Sequence, residues 1–223
     1  MENIFFYIFL ALHIISGILG LTTGTFNILG KKGSFKHKQI GSIFCMSMIM
    51  AGFSSMILSI IHPNYFLFMM AIFTIYLVST GYRYMNMRLL NFDQRPGAFE
   101  WALSIIMLIT AILILVLGCS FIIENKSMGY AFIAFSFIAF RSLKTDFENY
   151  TGRSKNNNYW LLAHIQRMTG AYISSLTAFL VVNSKYISEY IPAVLIWLMP
   201  SVILIPLIIF WTKKHKSKAM IYR

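Results

Sequence analysis

Seven stretches of this chain run for 16 to 26 residues with at most one charged side chain each, and that pattern leaves few folds open. They cover 4–29, 40–61, 65–85, 101–123, 128–143, 160–182 and 191–211. A helix needs about 20 apolar residues to cross the hydrocarbon of a bilayer. The runs are too long for barrel strands and lack their alternation of apolar and polar residues. The expected fold is therefore all-α: a polytopic bundle of seven transmembrane helices forming a single transmembrane domain over 1–223. Composition agrees, with 58% hydrophobic and only 12% charged residues. Soluble domains carry about 25% charged residues, and lipid is the solvent that tolerates so apolar a surface.

Loop charge predicts the orientation. Lys31, Lys32, Lys36 and Lys38 follow the first span; Arg83, Arg88 and Arg95 accompany the end of the third. Arg141, Lys144, Arg153 and Lys155 accompany the end of the fifth, and Lys213, Lys214, Lys216, Lys218 and Arg223 follow the seventh. With seven spans these 16 charges share one side, and only Lys126 and Lys185 fall on the other. Short basic loops stay in the cytoplasm, so the N-terminus is expected outside and the C-terminus inside. Trp101, Tyr159, Trp160 and Trp211 stand at span ends, where amphipathic rings favour the headgroup layer. The first run has no basic residue before it and is charge-free from Ile4 to Lys31, so it reads as a retained helix rather than a signal peptide. His62-Pro63-Asn64 forms a tight turn between the second and third spans. The longest loop is expected at 144–158.

The net charge of +12 is explained by this topology, and nucleic acid is not an expected partner. Cys45 and Cys119 fall in apolar runs at different depths, which argues against a disulfide and shows no zinc spacing. The methionine-rich second span reads as pliable packing in preference to a copper site. There is no phosphate-binding or dinucleotide motif, and no acidic residue lies within a predicted span. Whether the chain is an enzyme stays open.

Function in such a chain is sought where polar residues interrupt the apolar runs. In the first span His13, Gly17, Gly20, Gly24 and Asn27 share one stripe, and Gly20-Leu21-Thr22-Thr23-Gly24 is a GxxxG contact motif. Gly41, Cys45, Met48, Gly52, Ser55 and Ser59 form a matching stripe on the second span, extended by His37. The first two spans are expected to pack through these faces. The sixth span carries His164 and Arg167 one turn apart, with Arg167 about 10 Å beyond Trp160. By depth, His37, Arg83, Arg141, His164 and Arg167 gather toward the cytoplasmic side, with Asp146 and Gln166 near in sequence. His13 and His62 lie toward the outside.

Several of these motifs occur together in a recognisable order. His13, Gly17, Gly20 and Gly24, then His37-Lys38-Gln39-Ile40-Gly41, Ser79-Thr80-Gly81-Tyr82-Arg83, His164-Ile165-Gln166-Arg167-Met168 and Thr177-Ala178-Phe179 run in sequence. This pattern resembles an uncharacterised family of bacterial multi-pass membrane proteins, a predicted membrane-protein domain of unknown function. The resemblance spans nearly the whole chain. It implies a bacterial inner (cytoplasmic) membrane protein and directs attention to His13, His37, Arg83, His164 and Arg167. It implies no activity.

The residues leave three classes of function open. A redox or haem-binding protein would use His37 and His164 as axial ligands of a haem b, with Arg83, Arg167 and His13 in the wider site. His37 and His62 are 25 residues apart, about 37 Å of helix, too far for two haems held in the usual way on one helix. A small-molecule or proton transporter could use the same polar path, and a non-catalytic assembly subunit would need only a protein partner. Beyond the lipid bilayer itself, the cluster could hold an anionic lipid, a quinone headgroup or a metal, and the first reading of such residues is a purely structural polar network. Cations buried without counter-charges should draw in something negative: a lipid phosphate, a haem propionate, or Asp146.

Overall fold

The computed structural model describes residues 2–90, 94–126, 128–154, 156–186 and 192–218. Seven long helices follow one another: α1 (Glu2–Leu29), α2 (Phe35–Ile61), α3 (Tyr65–Tyr84), α4 (Ala98–Ile123), α5 (Met128–Tyr150), α6 (Tyr159–Val182) and α7 (Ala193–Lys218). A single 3-10 turn, Ser184–Tyr186, follows α6. Among the described residues there is no strand beyond one isolated bridge between Leu90 and Gln94. The molecule is a seven-helix transmembrane bundle. α1, α2, α3, α4 and α7 are long and apolar enough to cross a membrane on composition alone. α5 and α6, at 23 and 24 residues, are as long but turn polar faces inward.

Helix ends follow local chemistry. Ser34 caps α2 by accepting from the His37 N–H at 3.2 Å, and Asn64 caps α3 by accepting from the Leu67 N–H at 3.1 Å. Glu100 reaches back from the first turn of α4 to accept the Gly97 N–H at 2.8 Å. α5 stops where Gly152 adopts a positive φ of 74°, which lets the Arg153 N–H bond the Glu148 carbonyl at 2.8 Å. Asn125, with φ 57°, ends α4 in the same manner, and the Lys126 N–H reaches the Phe121 carbonyl at 2.8 Å.

α3 is the centre of the bundle. Within its most apolar stretch 61% of residues are buried, against 11% for α1. α2, α4 and α6 pack against it, and α5 reaches it through the edge-on Phe73–Phe135 ring pair at 5.7 Å. α1 lies against α2 along most of its length, α4 against α5, and α7 against α6. The ends of α1, α3, α5 and α7 and the starts of α2, α4 and α6 share one end of the bundle, which carries the basic loops. Contacts there tie the loops down: Lys32 lies over Trp211 at 4.6 Å and Arg88 over Trp160 at 4.5 Å.

Helix boundaries differ from the apolar runs at this basic end. α2 begins five residues before 40, α4 three before 101, and α5 continues seven past 143. Hydropathy stops at the first charge, whereas a helix continues as long as its backbone bonds are made and its charges find partners. The expected loop 144–158 is therefore helical up to Tyr150. Asp146 and Glu100 become helix residues, so the expectation of acid-free helices does not hold. The expected start of the seventh span, Ile191, lies outside the described residues. Tyr159, read from the sequence as a span-end ring, is buried against the segment after α3. Its hydroxyl donates to the Met87 carbonyl at 2.8 Å and accepts from the Leu90 N–H at 2.9 Å, pinning the segment after α3 to α6.

The glycine stripes of α1 and α2 do more than join those two helices. A side chain on Gly20 would overlap Met48 of α2, as expected. One on Gly24 would overlap Tyr172 of α6, and one on Gly52 would sit 2.7 Å from Ile75 of α3. Gly17 has open space around it. The stripes are thus shared among three partners, because α6 and α3 flank the α1–α2 pair. Both polar residues of the α1 stripe find partners on α2. His13 Nδ1 donates to the Ala51 carbonyl at 2.9 Å, with the Ser54 hydroxyl 3.4 Å away. Asn27, with its amide oriented to satisfy both bonds, donates to the His37 carbonyl (3.3 Å) and accepts from the Gly41 N–H (2.9 Å).

Candidate functional site

Arg167 is the largest fully buried side chain among the described residues, with 2% of its surface exposed. A guanidinium at that depth must be matched by charge and by hydrogen-bond acceptors. The extension of α5 supplies both. Arg167 Nη2 donates to Asp146 Oδ1 at 2.6 Å and to the Ser142 carbonyl at 2.7 Å. Arg167 Nη1 donates to the Tyr76 hydroxyl at 2.7 Å, and the guanidinium lies 4.9 Å from the centre of the Tyr76 ring. Tyr76 in turn donates to Asp146 Oδ2. The Tyr84 hydroxyl donates to Asp146 Oδ1 at 2.7 Å and accepts from the Asn149 amide at 3.1 Å. Ser104 of α4 approaches Asp146 Oδ2 at 3.4 Å.

This centre therefore draws on α3, α4, α5 and α6. Its sequence logic is helical spacing: Tyr76 and Tyr84 are two turns apart on α3, and Ser142, Asp146 and Asn149 follow one face of α5. Of the counter-charges considered for Arg167, the protein's own Asp146 occupies the position. Asp146 arrives as part of the α5 helix and not as a loop folding back. Gly81 allows the approach, since a side chain there would meet Arg167 Cβ at 2.7 Å.

Arg83 has a separate partner. Its Nε donates to Glu100 Oε1 at 2.5 Å, with Glu100 buried and Arg83 43% exposed. Arg141 is exposed on α5 and extends outward. His13 is at the other end of the α1–α2 pair, bonded as described. His13 bonds α2 there, and the residues of shared depth resolve into distinct groups: Arg167 with Asp146, Arg83 with Glu100, and apart from both the histidines His37 and His164.

That last pair lies on the seam between α2 and α6. The two helices run in the same direction and touch through the side-chain contacts Cys45–Met168 and Met48–Ser175, while each packs more closely on α3. His37, in the first turn of α2, stands at the same end of the bundle as His164 in the first two turns of α6. His164 Nδ1 donates to the Gly81 carbonyl at 2.9 Å. That bond fixes the proton on Nδ1 of a neutral ring and leaves the Nε2 lone pair available. No hydrogen bond to the His37 ring is found among the described residues, and the residue is half-buried. Lys32 is committed to the end of α1, donating to the carbonyls of Asn27 at 2.8 Å, Ile28 at 2.5 Å and Gly30 at 3.1 Å.

Two chemically different settings thus stand at the basic end. The Arg167–Asp146 centre is saturated and closed to solvent. The histidine seam has ring nitrogens to spare and no carboxylate. Sequence reasoning found both histidines and Arg167 but missed Tyr76, Tyr84, Glu100 and Asn149. Asp146 was noted only as near in sequence. The available signal was the i, i+4 recurrence of polar residues continuing past the apolar run of the fifth span. No family model matches the chain, and neither a curated protein nor a solved structure matches it.

Proposed function

We propose that this chain is a haem-binding redox protein of a bacterial inner membrane, with His37 and His164 as the axial ligands of one haem b near the cytoplasmic face. The observation that carries this reading is the His164 Nδ1–Gly81 bond, at the end of the bundle where α2 also presents His37 without a hydrogen bond to its ring among the described residues. Metal-binding histidines commonly donate their second ring nitrogen to a carbonyl, which orients the ring and raises the basicity of the ligating nitrogen. His37 and His164 come from different helices, as the two faces of a haem iron require. The arginines first considered for the propionates, Arg83 and Arg167, are already held by Glu100 and Asp146. The reading therefore rests on the histidines, with the basic loops as the source of positive charge for propionates at the membrane surface. When bound, the haem supplies one-electron chemistry; the protein supplies ligation, a low-dielectric setting and access from the basic side. A quinone headgroup at the inner leaflet is the proposed electron partner.

Addition of haem to the purified protein in detergent tests this. A bis-imidazole absorption spectrum is expected, lost in His37→Ala and in His164→Ala and kept in His62→Ala. No spectral change on haem addition, or a spectrum untouched by His164→Ala, would overturn the assignment.

A further inference from the structure

Charge is balanced on one flank of the basic end and not on the other. Around α4 and α5, Arg83 pairs with Glu100, Arg167 with Asp146, and Lys144 lies 3.9 Å from Glu148. α1, α2, α6 and α7 contain no Asp or Glu apart from Glu2, which stands at the opposite end. Lys31, Lys36 and Lys213 are exposed on this second flank, and no carboxylate pairs with them among the described residues.

The same flank carries a groove. α1 and α7 both pack on α6 and scarcely on each other. They are also the least buried of the five most apolar helices, with 11% and 17% of their most apolar stretches inside the protein. At the basic end the two come together, where the Lys32 ammonium lies 4.6 Å from the centre of the Trp211 ring. Phe26 and Leu29 in the last turn of α1 are exposed, as are Ile209 and Phe210 just before Trp211. The groove therefore has apolar walls and a mouth flanked by lysines from both helix ends. Lys32 also removes a repulsion. It donates to the carbonyls of Asn27, Ile28 and Gly30, and so covers the negative end of α1 that would otherwise face an anion.

We propose that this groove holds one phospholipid with two phosphates in its headgroup. One phosphate meets Lys31 and Lys36, and the other meets Lys213 and Lys214, on either side of the Lys32–Trp211 contact. The acyl chains lie along the exposed faces of α1 and α7. Basic pockets between membrane helices suit such headgroups, because each lysine near an anionic headgroup adds attraction that the apolar walls cannot supply. A lipid with a single phosphate reaches only one of the two lysine groups. No ring nitrogen of His37 or His164 takes part and no haem is needed, so this site and the haem reading fail separately.

The test is native mass spectrometry of the full chain, delipidated in detergent and titrated with diphosphatidylglycerol or, at equal total phosphate, with phosphatidylglycerol. One diphosphatidylglycerol per chain is expected, held at least about tenfold more tightly than phosphatidylglycerol. Lys31→Gln with Lys36→Gln, and separately Lys213→Gln with Lys214→Gln, should each weaken that binding by at least about tenfold. Arg141→Gln with Lys144→Gln removes the same charge from exposed positions of α5 and should leave binding unchanged. All six positions are exposed, and thermal unfolding checks that each variant stays folded. No retained lipid, equal affinity for the two lipids, full affinity in either lysine-pair variant, or an equal loss in the α5 variant would each overturn the site.

Discussion

The Arg167–Asp146 centre and the histidines of α2 and α6 lie at the same end of the bundle, with Arg167 and His164 one turn apart on α6 and both against Gly81 of α3, yet they are built on opposite terms. In the centre, the cation has a carboxylate, the carboxylate has two phenols, and one phenol has an amide. In the seam, His164 has one bonded nitrogen and His37 has none among the described residues. A polar group that is fully matched inside a membrane holds helices in register; one with a lone pair left over can take a ligand. The depth of a residue does not separate these cases. Its partners do.

The sharpest way to break the contrast is at Asp146. Asp146→Asn should leave Arg167 buried without a counter-charge and lower stability by about 3–5 kcal/mol, read by thermal unfolding in detergent. The paired change Asp146→Leu with Arg167→Met should recover most of that loss, because removing both charges removes the penalty. A single variant as stable as the native chain would mean that the centre is open to water. Gly81→Val touches both regions at once. Its side chain would press on Arg167 Cβ, at 2.7 Å from the first added carbon, and would shift the carbonyl that holds His164. Overpacking there should cost about 1–3 kcal/mol and, on the proposed haem assignment, disturb the spectrum of the haem-loaded protein. An unchanged spectrum in a destabilised Gly81→Val protein would show that the two regions are uncoupled.

Next in size is the glycine stripe of α1. Gly24→Leu, which meets Tyr172 and Phe44, should destabilise by about 1–3 kcal/mol, while Gly17→Leu, with open space, should fall within about 0.5 kcal/mol of the native chain. Equal tolerance would mean that α1 packs less closely than its notches imply. The smallest stability effect is expected at the seam itself. His37→Gln should change unfolding by about 0.5 kcal/mol or less while abolishing the spectrum expected of the proposed haem. A large loss of stability would place His37 with the saturated centre and remove the distinction.

Much of the bundle was legible without coordinates. Seven apolar runs set seven helices because a backbone in lipid must satisfy its own hydrogen bonds, and basic loops alternate in register with that count. The His62-Pro63-Asn64 turn before α3 was legible for an equally local reason. His13, His37, His164 and Arg167 stood out because polar residues are costly in an apolar run. What the sequence could not determine was which of them answers which. Asp146 and Glu100 lie just beyond the apolar runs, and only the continuation of α5 and the early start of α4 carry them into the bundle. Pairing Arg167 with a residue 21 positions earlier, and with Tyr76 91 positions earlier, depends on α3 sitting at the centre with α5 and α6 against it. Helical periodicity gives each residue a face, but the neighbour of that face is chosen by how whole helices pack. That choice depends on the shapes of many side chains at once, with Gly20, Gly24 and Gly81 admitting the close approaches. Composition and spacing determined the number of the helices; the packing decided how far α2, α4 and α5 run past their apolar stretches and which polar residue answers which.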